Sequence, residues 1–322
     1  MGPHAEAPRT LPPVIGIVGP TASGKTRFSL RVARTFDGEI ISCDSMQVYR
    51  GLDIGTDKIP PRRREGIPHH LIDVADPGED FSAGAFRTMA LEALEGVGGR
   101  GRIGVVAGGT GLYYRALTRG MIQAPPRDEN LRRRLKERVR RSGVERCHRL
   151  LSRLDPDYAA SIRNNDERRI VRALEVRIAC GKPLGLLIQD DPFGSRPLEP
   201  HMGIGLTAPR ELLYHRIESR VEAMLASGWI EEVQVLLEED KLRGCVSKAI
   251  GYEEIAEHLA GRMPLEEAAE KIKQRSRNYA KRQLTWFRKE PGITWYTVTE
   301  GRWEENAIRS IEHWLEEIVR HT

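Results

Sequence analysis

The sequence predicts an α/β protein in which a doubly wound parallel sheet carries an inserted all-helical domain. Three observations along its 322 residues favour this fold. Short apolar runs rich in β-branched residues alternate with helical stretches, as in parallel sheets. A glycine-bounded loop connects the first run to the first helix. From residue 127 to about 185 the chain is arginine-rich and helical, and an apolar strand run then returns at residues 201–206.

The first predicted strand, Val14–Val18, leads into a phosphate-binding loop. Residues 19–26 have the full G-x-x-x-x-G-K-T spacing and a helical stretch follows, so the sheet is predicted to be a P-loop core. Glycines let several N–H groups turn toward one anion, and the helix N-terminus adds partial positive charge. Lys25 is expected to reach a terminal phosphate and Thr26 to bind Mg²⁺. The predicted anion site is Gly19, Pro20, Thr21, Ala22, Ser23, Gly24, Lys25 and Thr26.

The next strand is predicted at residues 39–43 and ends at Asp44. Ligands collect at the carboxyl ends of strands in open α/β sheets, so Asp44 is expected beside the phosphate loop. Residues 46–50 are expected to form a short helix. The paired histidines at 69 and 70 enter a third strand, and they lack a further ligand at metal spacing, which favours a structural role. A helix is predicted over 81–94, with Ser82 as N-cap and glycines 96–101 as its end.

The buried strand predicted at residues 103–107 ends in Gly108-Gly109-Thr110-Gly111. Many P-loop ATPases and GTPases have an aspartate here that holds Mg²⁺ through water. Its absence weakens the interpretation of this chain as a nucleotide-hydrolysing motor. Further along, a helix at 211–225 places Arg216 and Arg220 one turn apart on one face.

Four domains are predicted: a disordered leader at 1–13, the first part of the core at 14–124, a helical insertion at 125–200, and the second part of the core with basic C-terminal helices at 201–322. The net charge is +5, but residues 127–149 hold ten lysines and arginines against four acids, and residues 271–289 hold eight and no acid. Such concentration indicates a polyanionic partner, the alternative being two solvated helix faces.

The four cysteines are far apart and form no C-x-x-C pair. This pattern is typical of reduced cytosolic thiols and not of a disulfide framework or a zinc site. No apolar run has membrane-spanning length, and the leader resembles neither a signal peptide nor an anchor. We therefore expect a cytoplasmic monomer without membrane contact.

Seven motifs, taken together and in order over residues 14 to 290, resemble those of the tRNA dimethylallyltransferases. They lie at residues 19–26, 44–49, 51–56, 108–113, 165–175, 249–252 and 279–286. The chain lacks the C-terminal zinc finger of eukaryotic members and so is similar to the bacterial type. The resemblance implies transfer of a dimethylallyl group from dimethylallyl diphosphate to N6 of the adenosine on the 3′ side of a tRNA anticodon.

The resemblance also implies roles for individual residues. The P-loop would hold the diphosphate with Mg²⁺, and Arg216 would add a contact, with Arg220 as the alternative. Asp44 would be the general base for the adenine amine, or else a second-shell Mg²⁺ ligand, and Thr110 would be a second catalytic residue, or else a helix N-cap. The target base would be flipped into the site.

The implied tRNA contacts are Asp44, Ser45, Met46, Gln47, Thr110, Arg132, Arg168, Arg169, Ile170, Val171, Arg172, Lys248, Gly251, Tyr252, Lys281, Arg282 and Arg288. The sequence departs from the family pattern at Asp57, where a small residue is more usual, and at Glu167 and Val171. Two other functions use the same loop. A small-molecule P-loop kinase has no need of the basic segments, and an RNA-binding NTPase would be expected to carry an N-K-x-D base-reading motif, which is missing.

Overall fold

The computed structural model describes residues 11–122, 124–126, 128–190 and 197–321. Most of the predicted leader, residues 1–10, lies outside this range, as do residues 191–196 of the predicted insertion. The chain forms two compact units, one built from the residues through Thr118 together with those from Leu198 onward, the other from Arg119–Pro197. In the described part of the chain no helix is both long and apolar enough to cross a membrane.

The first unit contains a six-stranded, fully parallel sheet in the order β3-β2-β4-β1-β5-β6, which confirms the predicted fold class. Strand β1 is central and all five of its residues are buried, as expected for a strand covered on both faces. Its neighbour β4 pairs in register from Val14 with Gly104 to Val18 with Gly108. The strands are β1 Val14–Val18, β2 Gly38–Ser42, β3 His69–His70, β4 Ile103–Gly108, β5 His201–Thr207 and β6 Ile293–Thr297.

Thirteen α-helices occur within the described residues. The first unit begins with α1 Lys25–Thr35, α2 Ala83–Gly99 and α3 Gly111–Arg119. The helices that follow in the second unit are α4 Glu129–Ser142, α5 Val144–Leu154, α6 Pro156–Ser161, α7 Glu167–Cys180 and α8 Leu184–Asp190. The first unit then resumes with α9 Arg210–Ala226, α10 Trp229–Glu238, α11 Tyr252–Leu259, α12 Leu265–Phe287 and α13 Trp303–His321.

Helices cover both faces of the sheet. Ile15 and Ile17 of β1 belong to a core cluster with Phe28 of α1 and Trp303 of α13. The intervening Gly16 lies against Tyr114 of α3, where a Cβ atom would come within 2.6 Å of the ring. Because alternate residues of a strand point to opposite faces, α1 and α13 lie on one face and α3 on the other.

Three local predictions were wrong. Residues 46–50 form turns and not a helix, because the Asp44 carboxylate accepts hydrogen bonds from the Met46 and Gln47 amides and so fixes a turn. Helix α2 continues through its glycines to Gly99, since Val97 is buried and its packing outweighs their low propensity. Residues 11–13 are not disordered, because Pro12 is buried and Pro13 accepts a hydrogen bond from the Gly104 amide.

The second unit has its own hydrophobic core, formed by α4 to α8. At its centre Glu175 is fully buried, and its carboxylate accepts hydrogen bonds from the Asp128 amide at 3.0 Å and from Arg172 at 3.2 Å. Arg132 lies 3.7 Å from the same carboxylate. Burying a carboxylate without such partners is costly, so these contacts offset the cost of burying Glu175.

Candidate active site

A cavity of about 930 Å³ opens at the carboxyl ends of β1, β2 and β4. The strand order explains its position, since β4 lies between β1 and β2 and brings the loops that follow all three together. Residues of the phosphate loop line it, as do Asp44, the two arginines of α9 and two side chains of α12. The prediction that Asp44 lies beside the phosphate loop is therefore confirmed.

The phosphate loop has the backbone conformation that its glycines suggest. Gly24 has a φ of +89°, and Gly19, with a φ of +143°, packs so closely that a Cβ atom would lie 2.2 Å from the carbonyl oxygen of Leu206. Lys25 Nζ donates to the Pro20 carbonyl oxygen at 2.7 Å. Burial, followed by the nearby charge of Arg220, lowers the pKa of Lys25 to about 8, while Asp44 and Asp57 oppose the shift. The charge of Lys25 is thus opposed mainly by desolvation and only secondarily by Arg220.

Two arginines of α9 approach the loop from the side. Arg220 donates one hydrogen bond to the Thr21 hydroxyl and a second, at 3.1 Å, to Asp57 Oδ2. Arg216 lies farther out, with Nη1 3.5 Å from the Ala22 carbonyl oxygen. The sequence placed Arg216 first, whereas the structure gives Arg220 the closer contact. Together with Lys25, they direct three cationic side chains toward the space above the loop.

Asp44 faces the same space from the end of β2. Its Oδ1 accepts hydrogen bonds from the amides of Met46 at 2.8 Å and Gln47 at 3.4 Å. No hydrogen bond to Asp44 Oδ2 occurs among the described residues. The carboxylate is therefore held in one orientation by its own turn while one oxygen remains available to a ligand.

Thr110 lies between the turn after β2 and α12. Its hydroxyl oxygen accepts a hydrogen bond from the Ser45 amide at 2.9 Å and donates to the Ser45 hydroxyl at 3.3 Å. The Tyr279 hydroxyl lies near Thr110, and burial raises the pKa of Tyr279 well above its ordinary value. Thr110 does not line the cavity itself. It holds Ser45, the residue after Asp44, in place and lies near Tyr279.

Neither Tyr279 nor Gln283 was predicted to be a site residue. Both line the cavity. Gln283 Oε1 accepts from the Thr21 amide at 2.7 Å, and its Nε2 donates to the Gly109 carbonyl oxygen at 2.9 Å. One signal was present, because Gln283 interrupts the apolar stripe of α12 between the buried residues Ile272 and Phe287. A polar residue in such a stripe indicates a buried polar partner.

The glycines at the end of β4 and just after it are explained by packing. A Cβ atom at Gly108 would lie 2.1 Å from the Cys43 carbonyl oxygen, one at Gly109 would lie 2.0 Å from Gln283, and one at Gly111 would lie 2.2 Å from Trp286. The segment therefore lies against backbone on one side and against α12 on the other.

Part of the predicted tRNA-contacting set is accessible. Arg168 and Arg169 are exposed in the first turn of α7, and Lys281, Arg282 and Arg288 are exposed on or just after α12. Lys248 is exposed and paired with Glu253 at 2.6 Å, and Arg172, half-buried, donates to the Pro125 carbonyl oxygen at 2.8 Å. Ser45, Met46 and Gln47 are half-buried in the turn after β2.

Five members of that set are buried, contrary to expectation: Arg132, Ile170, Val171, Gly251 and Tyr252. Ile170 and Val171 lie in the core of the helical unit, and Arg132 is only 7% exposed because it neutralises Glu175. Within this structure, their side chains are not available to a nucleic acid. Gly251 has a φ of +92° and packs on Trp229.

Tyr252, also in the predicted set, is buried as well, and its hydroxyl donates to Glu232 at 2.7 Å. The Glu232 carboxylate also accepts the amides of residues 53, 54 and 55. Tyr252 therefore stabilises the loop after Gly51, which forms one wall of the cavity.

The residues present fit a hard cation such as Mg²⁺. The Thr26 hydroxyl is exposed to the cavity at the start of α1, and Asp44 supplies a carboxylate on the same cavity wall. Oxygen donors of this type are the ones Mg²⁺ prefers, usually together with substrate phosphates. No cluster of three or more His, Cys, Asp or Glu side chains suited to a metal occurs in the described ranges.

Fold and site together define an α/β protein of the P-loop type whose anion-binding loop faces a carboxylate across a shared cavity. Comparison with known families agrees. A sequence model described as IPP transferase matches residues 47–290, and one described as Isopentenyl transferase matches residues 12–67. The chain belongs to the IPP transferase family.

Individual relatives match along nearly their whole length. The chain is 45% identical to the tRNA dimethylallyltransferase of Geobacter metallireducens over 284 residues, 87% of this chain and 90% of that protein. It is 46% identical to that of Geobacillus kaustophilus over 287 residues, 88% and 90% of the two chains.

Solved structures give the same result. The full-length tRNA isopentenylpyrophosphate transferase of Bacillus halodurans superimposes with a TM-score of 0.69 at 40% identity, covering 96% of this chain and 99% of that one. A eukaryotic dimethylallyltransferase acting on tRNA gives a TM-score of 0.81 at 30% identity, covering 96% and 80%.

Proposed function

We propose that this protein transfers the dimethylallyl group of dimethylallyl diphosphate to N6 of the adenosine 3′-adjacent to the anticodon of tRNA, giving N6-(dimethylallyl)adenosine. The observation that carries the proposal is the shared cavity in which a cationic phosphate loop faces the Asp44 carboxylate. The names of the relatives, tRNA dimethylallyltransferases, specify the donor group and the acceptor.

The phosphate loop would hold the donor by its diphosphate. Lys25, Arg216 and Arg220 face the space above the loop, and backbone N–H groups at the start of α1 point in the same direction. As the allylic C–O bond breaks, negative charge builds up on the departing diphosphate, and these groups would stabilise it. Thr26 would hold Mg²⁺, which when bound neutralises part of that charge.

The acceptor would be oriented by Asp44. An exocyclic adenine amine is a weak nucleophile because its lone pair is delocalised into the ring. Asp44 Oδ2 would accept one hydrogen of this amine, and would take the proton as the new C–N bond forms. The two Thr110 bonds to Ser45 would keep the turn that carries Asp44 in place.

The target base would leave its stack to reach Asp44. Ser45, Met46 and Gln47 would contact the flipped base and its neighbours. The exposed cations on α7 and α12, together with Lys248, would bind backbone phosphates, so that the loop bases carry the specificity. We expect the protein to act as a monomer.

The direct test is incubation with labelled dimethylallyl diphosphate, Mg²⁺ and unmodified tRNA, followed by mass analysis of nuclease fragments. The expected result is a five-carbon adduct on one adenosine next to the anticodon. A parallel incubation with ATP and candidate metabolites tests for the kinase alternative. Phosphate transfer there, without any prenylated RNA, would contradict the proposal.

A further inference from the structure

One carboxylate of the cavity has no role in the reaction described above. Asp57 lines the cavity on the side of α9, with its side chain 55% exposed. Its Oδ2 accepts a hydrogen bond from Arg220 Nη1 at 3.1 Å, while the other terminal nitrogen of Arg220 donates to Thr21 in the phosphate loop. The guanidinium of Arg220 therefore links Asp57 to the anion-binding loop.

The position of Asp57 is fixed by contacts that do not involve Arg220. The Glu232 carboxylate accepts the amides of Asp53, Ile54 and Gly55 at 2.9, 2.7 and 3.2 Å. Gln47 Nε2 donates to the Thr56 carbonyl oxygen at 3.0 Å. Asp57 itself has a φ of +52°, a conformation that aspartate and asparagine tolerate better than most residues. The carboxylate is thus presented by a rigid loop, and the long side chain of Arg220 is the partner that can move.

The charge around Asp57 sets up a competition. Lys25, Arg216 and Arg220 face the same cavity, so a bound diphosphate would be attracted to all three. One of them, Arg220, is already partly neutralised by Asp57. Two anions cannot both approach one guanidinium closely without repelling each other. A diphosphate that recruits Arg220 fully must therefore weaken the Asp57–Arg220 pair.

We propose that Asp57 is a positioning residue that holds Arg220 against the phosphate loop in the free enzyme and competes with the diphosphate for it. The pair forms again as the diphosphate leaves, so Asp57 lowers the affinity of the site for the product anion. This inference rests on the proposed function only in naming diphosphate as the anion that the loop binds.

The test is the affinity of the full-length protein for inorganic pyrophosphate with Mg²⁺, measured by calorimetry on wild type and Asp57→Asn. Asparagine keeps the size and the tolerance for positive φ and removes the charge. We expect Asp57→Asn to bind pyrophosphate roughly three to five times more tightly, as for loss of a part-exposed ion pair. The KM for dimethylallyl diphosphate should fall by a similar factor. Unchanged or weaker binding would overturn the proposal, and weaker binding relieved by high Mg²⁺ would identify Asp57 as a metal ligand instead.

Two controls separate the explanations. Asp240→Asn is the matched variant, because Asp240 also has a φ of +52° and pairs with an arginine, Arg243, but does not line the cavity. Its pyrophosphate affinity should equal that of wild type. In an Arg220→Gln background the gain from Asp57→Asn should disappear, and a gain that persists would contradict the role of Arg220.

Asp57→Gly, which also permits positive φ, should reproduce the tighter binding if the asparagine variant is unstable. Since the probe is pyrophosphate, these outcomes can be interpreted even if no prenyl transfer is found.

Discussion

At the scale of individual residues, opposite charges face one another across the cavity. The cations lie on the phosphate loop and α9, and Asp44 lies at the end of β2 with Oδ1 engaged by its own turn. Because that turn fixes the carboxylate before any ligand arrives, the group that would accept the proton is preorganised. The arrangement separates the stabilisation of the leaving group from the activation of the nucleophile.

Replacing Asp44 by Asn should abolish most of the transfer. The amide oxygen of asparagine can still accept the Met46 hydrogen bond, so the turn should be kept, but the side chain can no longer accept a proton. We expect kcat to fall by about 10²- to 10⁴-fold, the usual contribution of a general base. Single-turnover transfer from labelled dimethylallyl diphosphate to tRNA measures this loss.

The Asp44→Asn variant should bind tRNA within about twofold of wild type, since most of the binding comes from phosphate contacts. Asp240→Asn, remote from the cavity, serves again as the control and should keep full turnover. Near-normal turnover in Asp44→Asn would mean that another group accepts the proton.

At the scale of elements, α12 holds together two loops that are distant in the sequence. Gln283 joins the Thr21 amide of the phosphate loop to the Gly109 carbonyl of the loop after β4. Tyr279, one turn earlier on the same face, lies near Thr110. The helix thereby fixes the distance between the anion site and the turn that carries Asp44.

Gln283→Met should loosen this link. Methionine has a similar length but leaves the Thr21 amide and the Gly109 carbonyl without a partner, at a cost of roughly 1–3 kcal/mol for each group. We expect a lower urea midpoint and weaker pyrophosphate binding. Gln274→Met, at an exposed position of the same helix, is the matched control and should change neither quantity. If both variants behave alike, Gln283 does not support the phosphate loop.

Near the start of β2 a different charge cluster secures the sheet. The buried carboxylate of Glu39 accepts two hydrogen bonds from Arg100, both at 2.7 Å, one from Arg102 at 3.2 Å, and is bonded to His70 of β3 at 2.6 Å. These contacts, Arg100 foremost, lower the pKa of Glu39 to about 2. The sequence left His70 without a defined partner, and Glu39 is that partner.

The Glu39 cluster should make folding stability depend on acid. Because the folded pKa lies below the unfolded one, its stabilisation is complete above about pH 4.5 and is lost as the pH falls toward 2. Glu39→Gln should therefore lower the free energy of unfolding by roughly 2 kcal/mol or more at pH 7, and by less at pH 3. Urea titrations at the two pH values measure the difference. Glu312→Gln, exposed on α13, should show no such dependence, and an equal loss at both pH values for Glu39→Gln would contradict the mechanism.

At the scale of the whole molecule, the net charge of +5 conceals strongly basic segments. In the helical unit some of these arginines act internally, as Arg132 does beside Glu175, and others are exposed, as Arg168 is. A substitution at Arg132 would therefore test folding as well as tRNA binding. Substitution of an exposed cation tests tRNA binding without this effect on folding.

Arg168→Gln should weaken tRNA binding at low salt and reduce its salt dependence. Loss of one phosphate contact is expected to lower the slope of log K against log salt by about 0.7 to 0.9. Filter binding across a salt series measures the slope. Arg320→Gln, exposed on α13, removes the same charge elsewhere and should leave the slope unchanged. Equal slopes for wild type and Arg168→Gln would show that Arg168 does not contact a phosphate.

Local signals predicted the strands and most helices because their causes are local. The N-cap Ser82 was recognised in the sequence, and its hydroxyl accepts the expected backbone hydrogen bond, from the Ala85 amide. The turn at residues 46–50 was mistaken for a helix because the competing acceptor, Asp44, acts through its side chain. Burial of Ile170 and Val171 depends on which face of α7 packs against the core. The cationic residues beside them in the sequence gave the segment the pattern of an exposed, basic surface.

The sequence by itself determined three features: the phosphate loop, the succession of strands that places Asp44 beside it, and the accumulation of positive charge. Each of these depends on residues that are close together in the chain. Only the tertiary structure decided which distant side chains complete the site. Gln283 meets Thr21 across 262 positions, and Arg220 reaches Thr21 and Asp57 from another helix. Such contacts depend on how whole elements pack against the sheet. No pattern within one element identifies the distant residue that its side chains will meet.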